Sequence, residues 1–440
     1  MKKKDYIDLS KHIKKVESIN PVKRYGKVKQ VIGLTIESHG PSLEIGQLCC
    51  IKRFDKKEDI LAEVVGFKDD RLVLMPLGSM EGIGSGSEVV DKGEKFKLPV
   101  GNKLLGRILD GLGRPMDGKG PVEAEDYYPV INNPPHPLKR EKIREVISLG
   151  IKAVDGLITC GKGQRMGIFS GSGVGKSTLL GMIARNAEVD VNVIALIGER
   201  GREVREFIED DLGEEGLKKS VVIVATSDKP ALIRTKGAFV ATAIAEYFRE
   251  KGKDVLLLMD SLTRFAMAQR EVGLAAGEPP VARGYTPSVF AVLPKLLERT
   301  GTSNRGSITG LYSVLVDGDD LDEPISDSVR GILDGHIVLS RSLANKNHYP
   351  AIDVLKSVSR LMPDIVTQQH MEAASNIKKI LAQYNEAEDL INIGAYSKGS
   401  NKDIDYAIEK IDLINDFLRQ KTKQKVSFDE TLDKMFSILQ

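Results

Sequence analysis

The sequence predicts an α/β protein in three parts: a small N-terminal β-barrel, a central domain with a mostly parallel sheet, and a C-terminal helical domain. Three patterns carry this prediction. Short alternating strands occupy residues 25–94, strands alternate with helices over residues 95–363, and amphipathic helices fill residues 364–440. A basic segment, residues 1–24, precedes the barrel. At 440 residues the chain has ample length for about three domains.

Composition places the chain among globular proteins, with 41% hydrophobic and 29% charged residues. A net charge of +2 is too small for a general nucleic-acid or membrane surface. Cys49, Cys50 and Cys160 fit neither metal-ligand spacing nor a disulfide framework, which points to a reducing compartment. Apolar runs such as residues 255–259 are too short to span a membrane. We therefore expect a cytoplasmic protein.

The basic N-terminal segment contains eight Lys or Arg against three acids. Its apolar residues have the 3-4-3 spacing of one helix face, which Pro21 would end. These residues are Tyr6, Leu9, Ile13 and Val16. Two interpretations stand side by side: a frayed terminus without a role, or a helix that orders against a partner or an anionic bilayer.

The predicted barrel rests on alternation in residues 33–37, 60–65 and 71–75, with turn signals between them. An oligonucleotide-binding barrel would need several exposed aromatic residues and a basic face. Residues 26–91 offer only Phe54 and Phe67 as aromatic side chains. A structural barrel is therefore the better interpretation.

In the central part, apolar strands are followed by helical segments, which is the pattern of a mostly parallel sheet covered on both faces. Ligands of such sheets bind at the carboxyl ends of the strands. The predicted strands are residues 166–169, 191–197, 220–226, 254–259, 308–316 and 336–339, and the predicted helices begin at Lys176, Arg202, Pro230 and Leu262.

The last 77 residues read as helices with one apolar face each, as in a small helical domain. Ser427 and Glu430 form a capping-box pattern at the start of the final helix. The predicted buried faces consist of Ile377, Ile380, Leu381 and Tyr384 in one helix and of Ile404, Ala407, Ile408, Ile411 and Phe417 in the next.

Residues 164–180, QRMGIFSGSGVGKSTLL, predict a phosphate-binding loop between a strand and a helix. Lys176 can reach β- and γ-phosphates, and the Ser177 hydroxyl can bind Mg²⁺. Ser170 stands where the strict motif has glycine, and the alternative is an ordinary glycine-rich turn. The candidate nucleotide-binding residues are Gly171, Ser172, Gly173, Val174, Gly175, Lys176, Ser177 and Thr178.

Two acids follow buried strands and can complete a site for nucleotide hydrolysis. Asp260 ends an apolar strand and can hold Mg²⁺ beside Ser177, although it can also cap the next helix. Glu199 follows another strand and can activate a water for attack on the γ-phosphate, although an acid at a helix start also suits the dipole.

Two further candidates are ambiguous from the residues alone. Arg360 can act on the γ-phosphate of a neighbouring subunit, but its spacing fits a surface salt bridge better. Tyr349 can stack on a base, but core packing is the more common role of such a residue.

The motifs GSGVGKST, GERGRE, VLLLMDSLTRFA, GEPPVARGYTPSVF and HYPAIDVLKSVSR occur in the order seen in rotary-type hexameric ATPases. Within that superfamily the chain most resembles the flagellar type III protein-export ATPases, over essentially its whole length. The resemblance implies a RecA-like ATPase domain, ATP and Mg²⁺ as ligands, and a ring of six. It also implies that Arg200 lies in the site, that Arg360 enters the adjacent subunit's site and that Tyr349 packs on adenine.

One chain carries both Glu199 and Arg360, so a single gene product can build six complete sites as a homohexamer. The resemblance further implies that residues 277–290 form a pore loop that touches a central coiled-coil stalk protein. It implies that the N-terminal helix binds a peripheral stator protein. Export substrates, their chaperones and a membrane export gate are the other expected partners, at the inner face of the cytoplasmic membrane, without nucleic acid.

Several alternatives remain open. The ATPase of a virulence-type injectisome is closely similar to the flagellar type. A rotary ATP synthase subunit fits less well, because the helical domain offers only residues 386–389 as an acidic stretch. An RNA translocase resembling termination factor Rho is disfavoured by the aromatic-poor barrel. A scaffold that only binds nucleotide is disfavoured by Lys176, Glu199 and Asp260.

Overall fold

The computed structural model describes residues 24–55, 57–93, 95–316, 320 and 322–440. These residues form two compact units. One unit contains the described residues up to Lys97 together with Ala275–Gly277, and the other contains Leu98–Leu274 and Glu278–Gln440. The predicted basic N-terminal helix lies almost entirely outside the described residues, and its two interpretations stay predictions.

The first unit is a closed antiparallel barrel, which confirms the prediction from alternation. Its strands are β1 (Tyr25–Ile32), β2 (Thr35–His39), β3 (Leu48–Ile51), β4 (Ile60–Lys68), β5 (Arg71–Pro76) and β6 (Glu88–Asp91). They follow the order β1-β2-β5-β4-β3-β6, and β6 pairs back with β1. Ile36, Val64 and Leu74 are fully buried inside. Closure removes the exposed strand edges of an open sheet.

The second unit is built on a large mixed sheet. The strands that follow the barrel are β7 (Lys97–Val100), β8 (Arg107–Asp110), β9 (Asp126–Pro129), β10 (Val146–Ile147), β11 (Cys160–Gly161), β12 (Arg165–Ser170), β13 (Val191–Ile197), β14 (Ser220–Ala225), β15 (Asp254–Asp260), β16 (Gly301–Thr302), β17 (Ser307–Leu315), β18 (Gly335–Leu339) and β19 (Ile352–Ser359). The large sheet has the order β19-β18-β12-β17-β15-β13-β14-β8, with β16 paired to β17.

Neighbouring strands of this order are parallel except that β19 runs antiparallel to β18, and β16 is antiparallel to β17. Every residue of β13 is buried, as expected for a strand covered on both faces. The predicted parallel sheet is confirmed, but the sequence reading missed both edge strands, β8 and β19. Each is only partly buried and lacks the continuous apolar run that marks the central strands.

The helices of the described chain mostly lie between the strands. They are α1 (Lys152–Leu157), α2 (Lys176–Asn186), α3 (Gly201–Glu206), α4 (Gly213–Lys218), α5 (Ala231–Glu250), α6 (Leu262–Ala275), α7 (Pro287–Leu297), α8 (Pro324–Ile332), α9 (Arg341–Asn345), α10 (Met362–Ile365), α11 (Gln368–Asn392), α12 (Lys402–Leu418) and α13 (Phe428–Leu439). The predicted loop over residues 277–290 ends earlier than expected, because α7 begins at Pro287, a residue that favours the first helical turn.

The C-terminal helices α11, α12 and α13 have the predicted amphipathic faces. Ile377 and Ile380 of α11 are buried, and so is Ile411 of α12. The prediction was wrong for Ile408, which is 38% exposed because the buried stripe of α12 instead passes through Ile414. The capping box at the start of α13 is present in full.

These helices share one core with the sheet, and they rest on α1. A Cβ atom on Gly156 would lie 3.1 Å from the Phe417 ring and 3.4 Å from the Met435 sulfur, so glycine allows this close approach. The Nε2 atom of His370 also lies 2.8 Å from the Gly156 carbonyl oxygen. Among the helices described, none combines the length and the apolar character needed to cross a bilayer.

Candidate active site

The predicted phosphate loop lies between β12 and α2. Gly173 and Gly175 have φ angles of 77° and 85°, in the left-handed region that favours glycine. Val174 between them is buried and anchors the loop, whereas Ser172 and Ser177 are exposed. The loop therefore turns its backbone toward solvent at the amino end of α2, where unpaired N–H groups attract an anion.

The sheet order brings both predicted acids to this loop. The Lys176 ammonium donates a hydrogen bond to Asp260 Oδ1 and lies 3.9 Å from Glu199 Oε1. Lys176 and Glu199 follow β12 and β13, and Asp260 is the last residue of β15; the carboxyl ends of these strands share one edge of the sheet. Ser313 belongs to β17, which lies between β12 and β15. Its hydroxyl donates a 2.5 Å hydrogen bond to Asp260 Oδ1 and so holds that carboxylate.

The environment of Glu199 alters its acidity. Burial raises the pKa of its carboxyl to about 7. The negative charge of Asp260 also raises this pKa, whereas the positive charge of Lys176 lowers it. Its hydrogen bond to Glu203 also raises the pKa of Glu199 and lowers that of Glu203. A carboxyl that titrates near neutral pH is suited to accept a proton during a reaction.

Sequence reasoning missed Arg264, which contacts Glu199 directly. Its Nε donates a 3.1 Å hydrogen bond to Glu199 Oε1 from the first turn of α6. Gly198 makes room for it, since a Cβ atom there would lie 2.9 Å from the Cβ of Arg264. The available signal was position: Arg264 lies four residues after Asp260, at the same sheet edge.

Arg200 is not brought to the group around Lys176. Its side chain is 76% exposed, and it donates a 3.2 Å hydrogen bond to Glu203 at the start of α3. It therefore reaches the site only indirectly, through the Glu203 carboxyl that is bonded to Glu199.

Arg360 lies far from the phosphate loop of its own chain. Its N–H donates a 3.0 Å hydrogen bond to the carbonyl of Asp334, whose own N–H donates to the carbonyl of Arg165. Arg165 is the first residue of β12, whereas the loop follows its last residue. The Arg360 side chain is exposed, and its Nη2 lies 3.4 Å from the carbonyl oxygen of Arg330.

Tyr349 borders the phosphate loop, where its ring lies 3.4 Å from the position of a Cβ atom on Gly175. A cavity of about 850 Å³ opens between Tyr349 and the chain that follows α12. The sequence analysis missed the other residues of this cavity, because they come from three separate parts of the chain. They include Lys152, Asn347, Asp416, Arg419, Gln420 and Thr422.

The residues around Lys176 suit a magnesium ion bound together with phosphates. An ammonium already lies against Asp260, so this carboxylate accepts a cation, and the Ser177 hydroxyl is exposed nearby on α2. Among the described residues no three His, Cys, Asp or Glu side chains converge to hold a metal. Mg²⁺ commonly uses one or two protein oxygens and completes its shell with phosphate and water.

Three family descriptions match successive parts of the chain. The ATP synthase alpha/beta family matches with its beta-barrel domain over residues 28–93 and with its nucleotide-binding domain over residues 150–359. The T3SS EscN ATPase C-terminal domain matches residues 366–437. All three matches fall on the barrel, the sheet and the C-terminal helices in that order.

Relatives and solved structures agree with these matches. The flagellum-specific ATP synthase of Bacillus subtilis (strain 168) is 55% identical, over 96% of this chain and 97% of that protein. The type 3 secretion system ATPase of Xanthomonas euvesicatoria is 52% identical, over 94% of each chain. The assembled ATPase EscN from the enteropathogenic E. coli type III secretion system superimposes with a TM-score of 0.89 at 48% identity, covering 94% of this chain and 100% of EscN. The chain therefore belongs to the ATP synthase alpha/beta family, among the flagellum-specific ATP synthases and type 3 secretion system ATPases.

Proposed function

We propose that this chain hydrolyses ATP to ADP and phosphate and thereby energises protein export through a flagellar type III apparatus. The convergence of Lys176, Glu199 and Asp260 at one sheet edge supports this proposal. The relatives named above include both flagellar and secretion-system proteins, so export through an injectisome is the alternative. We also propose that the chain is divided into an N-terminal helix (residues 1–24), a barrel (25–94), an ATPase domain (95–363) and a helical domain (364–440).

The phosphates bind at the loop of residues 171–178, where backbone N–H groups and the α2 dipole face them. Lys176 leaves Asp260 and donates to the β- and γ-phosphates instead. Glu199 takes a proton from the attacking water. The oxygen of that water bonds to the γ-phosphorus, while the bond between the γ-phosphorus and the oxygen that bridges it to the β-phosphate breaks. Arg264 holds the Glu199 carboxylate, and Arg200 acts on it through Glu203.

Mg²⁺ would be held by the Ser177 hydroxyl and, through water, by Asp260. When bound, the ion supplies positive charge that neutralises the phosphates during the transfer. Freed from Lys176, Asp260 keeps its hydrogen bond from Ser313, which fixes the direction of the carboxylate.

A further cation from a neighbouring subunit would stabilise the charge that develops on the γ-phosphate. Arg360 is exposed and lies at the amino end of β12, away from its own loop, as a residue that acts on a neighbour would. Because Glu199 and Arg360 belong to one chain, six copies in a ring would form six equivalent sites. We therefore include a homohexamer in the proposal, with Tyr349 against the adenine ring in each subunit.

The proposed partners rest on the solved complex of a relative and on the expected pore loop. EscN has been solved in complex with its central stalk EscO, at a TM-score of 0.87 to this chain. Residues 277–290, the expected pore loop, would contact a comparable coiled-coil stalk. The N-terminal segment would bind a stator protein, and the ring would receive export substrates and chaperones beneath a membrane gate, on the cytoplasmic side.

Replacement of Lys176 by alanine in the organism that encodes this chain tests the proposal. We expect loss of ATP hydrolysis in the purified protein and loss of filaments and swimming in the cells. Lys218→Ala is the control, because Lys218 is an exposed lysine of the same unit that pairs with Glu215 on α4. Normal filaments with lost secretion of other proteins would favour the injectisome, and undiminished hydrolysis would refute the ATPase.

A further inference from the structure

The chain that follows α12 crosses the cavity beside Tyr349, and one buried side chain holds it there. Gln420 is 5% exposed. Its Nε2 donates to the Gly150 carbonyl at 2.8 Å, and its Oε1 accepts from the Lys152 N–H at 2.9 Å. Its own backbone N–H donates to the Tyr349 carbonyl at 3.0 Å. Gln420 thus joins the start of α1 to the residue that borders the phosphate loop.

The turn that receives the Gln420 amide is rigid. Asp155 is fully buried, and its carboxyl accepts hydrogen bonds from the N–H groups of Leu149 and Gly150, both at 2.9 Å. Gly150 has a φ of 69°, and a Cβ atom there would lie 2.4 Å from the Cβ of Asn186 at the end of α2. The turn is therefore packed against the helix that begins at the phosphate loop.

The same segment is tied to the far end of α2. Arg185 donates a 2.6 Å hydrogen bond to the carbonyl of Thr422. The Lys152 ammonium donates to the carbonyl of Asp416 at 3.2 Å and lies 5.7 Å from the centre of the Phe417 ring, so the last turn of α12 is held by the same region. The Gln420 backbone thus connects the Tyr349 carbonyl to the segment that continues from the last turn of α12.

We propose that Gln420 is a positioning residue that holds Tyr349 against the nucleotide base and couples nucleotide binding to the C-terminal helix α12. The proposal rests on the proposed role of Tyr349. Gln420 does not need to touch the nucleotide: its side-chain amide is already bonded on both sides, and it acts through the Tyr349 carbonyl.

Steady-state kinetics of Gln420→Met test the positioning role, because methionine keeps the length of the side chain and removes its hydrogen bonds. We expect KM for ATP to rise about tenfold, which corresponds to the loss of one well-made contact. The value of kcat should stay within about twofold. The control is Gln164→Met, which removes another buried amide, bonded to the Gly161 N–H and the Asp334 carbonyl at the opposite end of β12 from the phosphate loop. An unchanged KM in Gln420→Met would overturn the proposal.

A double variant separates the proposed path from a general loss of stability. If Gln420 acts through Tyr349, Tyr349→Ala combined with Gln420→Met should raise KM no further than Tyr349→Ala does alone. Fully multiplicative effects on KM would mean that the two residues act independently, against the proposal.

Hydrogen exchange gives a test that does not depend on ATP hydrolysis, and its first part uses only the wild-type chain. Added ADP should slow exchange of the Gln420 N–H and of α12, as well as of α2. In Gln420→Met, protection by ADP should persist in α2 and be lost in α12. Protection confined to α2 in the wild type would overturn the coupling. A chain that shows the full protection but never hydrolyses ATP would instead refute the proposed function alone.

Discussion

Lys176 and Arg360 lie at opposite ends of the same strand, β12, within one subunit. Lys176 follows the carboxyl end of that strand, and Arg360 is bonded through Asp334 to Arg165 at its amino end. The six residues of β12 span roughly 17 Å. A guanidinium this far away cannot reach a γ-phosphate held by Lys176 of the same chain. If Arg360 takes part in hydrolysis, it does so in another subunit.

Mixing two inactive variants tests this directly. Glu199→Ala and Arg360→Ala should each lower kcat on the order of 10²-fold or more, since one removes the base and the other the neighbour's cation. Mixed rings contain some sites with both residues intact, so ATPase activity should partly return. A mixture of Glu199→Ala with Lys176→Ala is the control, because those two residues serve the same site and no mixed ring contains a site with both from one chain. Lack of recovery at every ratio of the first pair would argue against action in trans.

The raised pKa of Glu199 predicts a pH dependence of turnover. The carboxylate must be ionised to accept a proton, so kcat/KM should rise with pH through a value of about 7 and level off above it. Arg264 opposes the rise in the pKa of Glu199, so Arg264→Gln should move this limb of the profile to higher pH. The profile of kcat/KM between pH 5 and 9 checks both statements. A limb that stays in place in Arg264→Gln, or that falls with rising pH, would contradict them.

Ser170 departs from the glycine of the strict motif and is expected to contribute little. Its side chain is 2% exposed, and its Oγ finds no hydrogen-bond partner among the described residues. A buried hydroxyl without a partner costs roughly 1–3 kcal/mol, so Ser170→Ala should leave kcat/KM within about twofold and should not lower the melting temperature. Ser170→Gly is the comparison, since glycine in a strand costs about 0.5–1 kcal/mol relative to alanine. A clear loss of activity in Ser170→Ala would show that the hydroxyl takes part in the site.

A buried ion pair supports the helix behind the sheet. Arg299 and Glu246 have side chains 1% and 0% exposed and form two hydrogen bonds of 2.8 and 2.6 Å. Arg299→Met leaves the Glu246 charge buried and unpaired, so the free energy of unfolding should fall by about 3–5 kcal/mol. Adding Glu246→Gln to Arg299→Met should restore part of that loss. Denaturant unfolding of the three chains measures both effects, and equal stability of Arg299→Met and wild type would refute the assignment.

The local pattern of the sequence was enough for the barrel, the central parallel strands, the phosphate loop and the capped C-terminal helix. Alternation, continuous apolar runs and the glycines before Lys176 depend on neighbours in the chain, which a sequence displays directly. The same reasoning predicted Ile408 to be buried and passed over β8 and β19. A helix face and a sheet edge are decided by what packs on them, and α12 packs through Ile414 instead.

Which distant residues meet depends on how the strands and helices pack. The strand order places β13 and β15 beside each other, which brings Arg264 onto Glu199 and both acids to Lys176. It also places Arg360 at the far edge and Gln420 under Tyr349. Residue types and local turns are written along the chain, and they define which chemistry is available. The distances between these residues depend on the packing of remote segments, such as Gly150 and Gln420, which are 270 residues apart, and no local pattern encodes that packing.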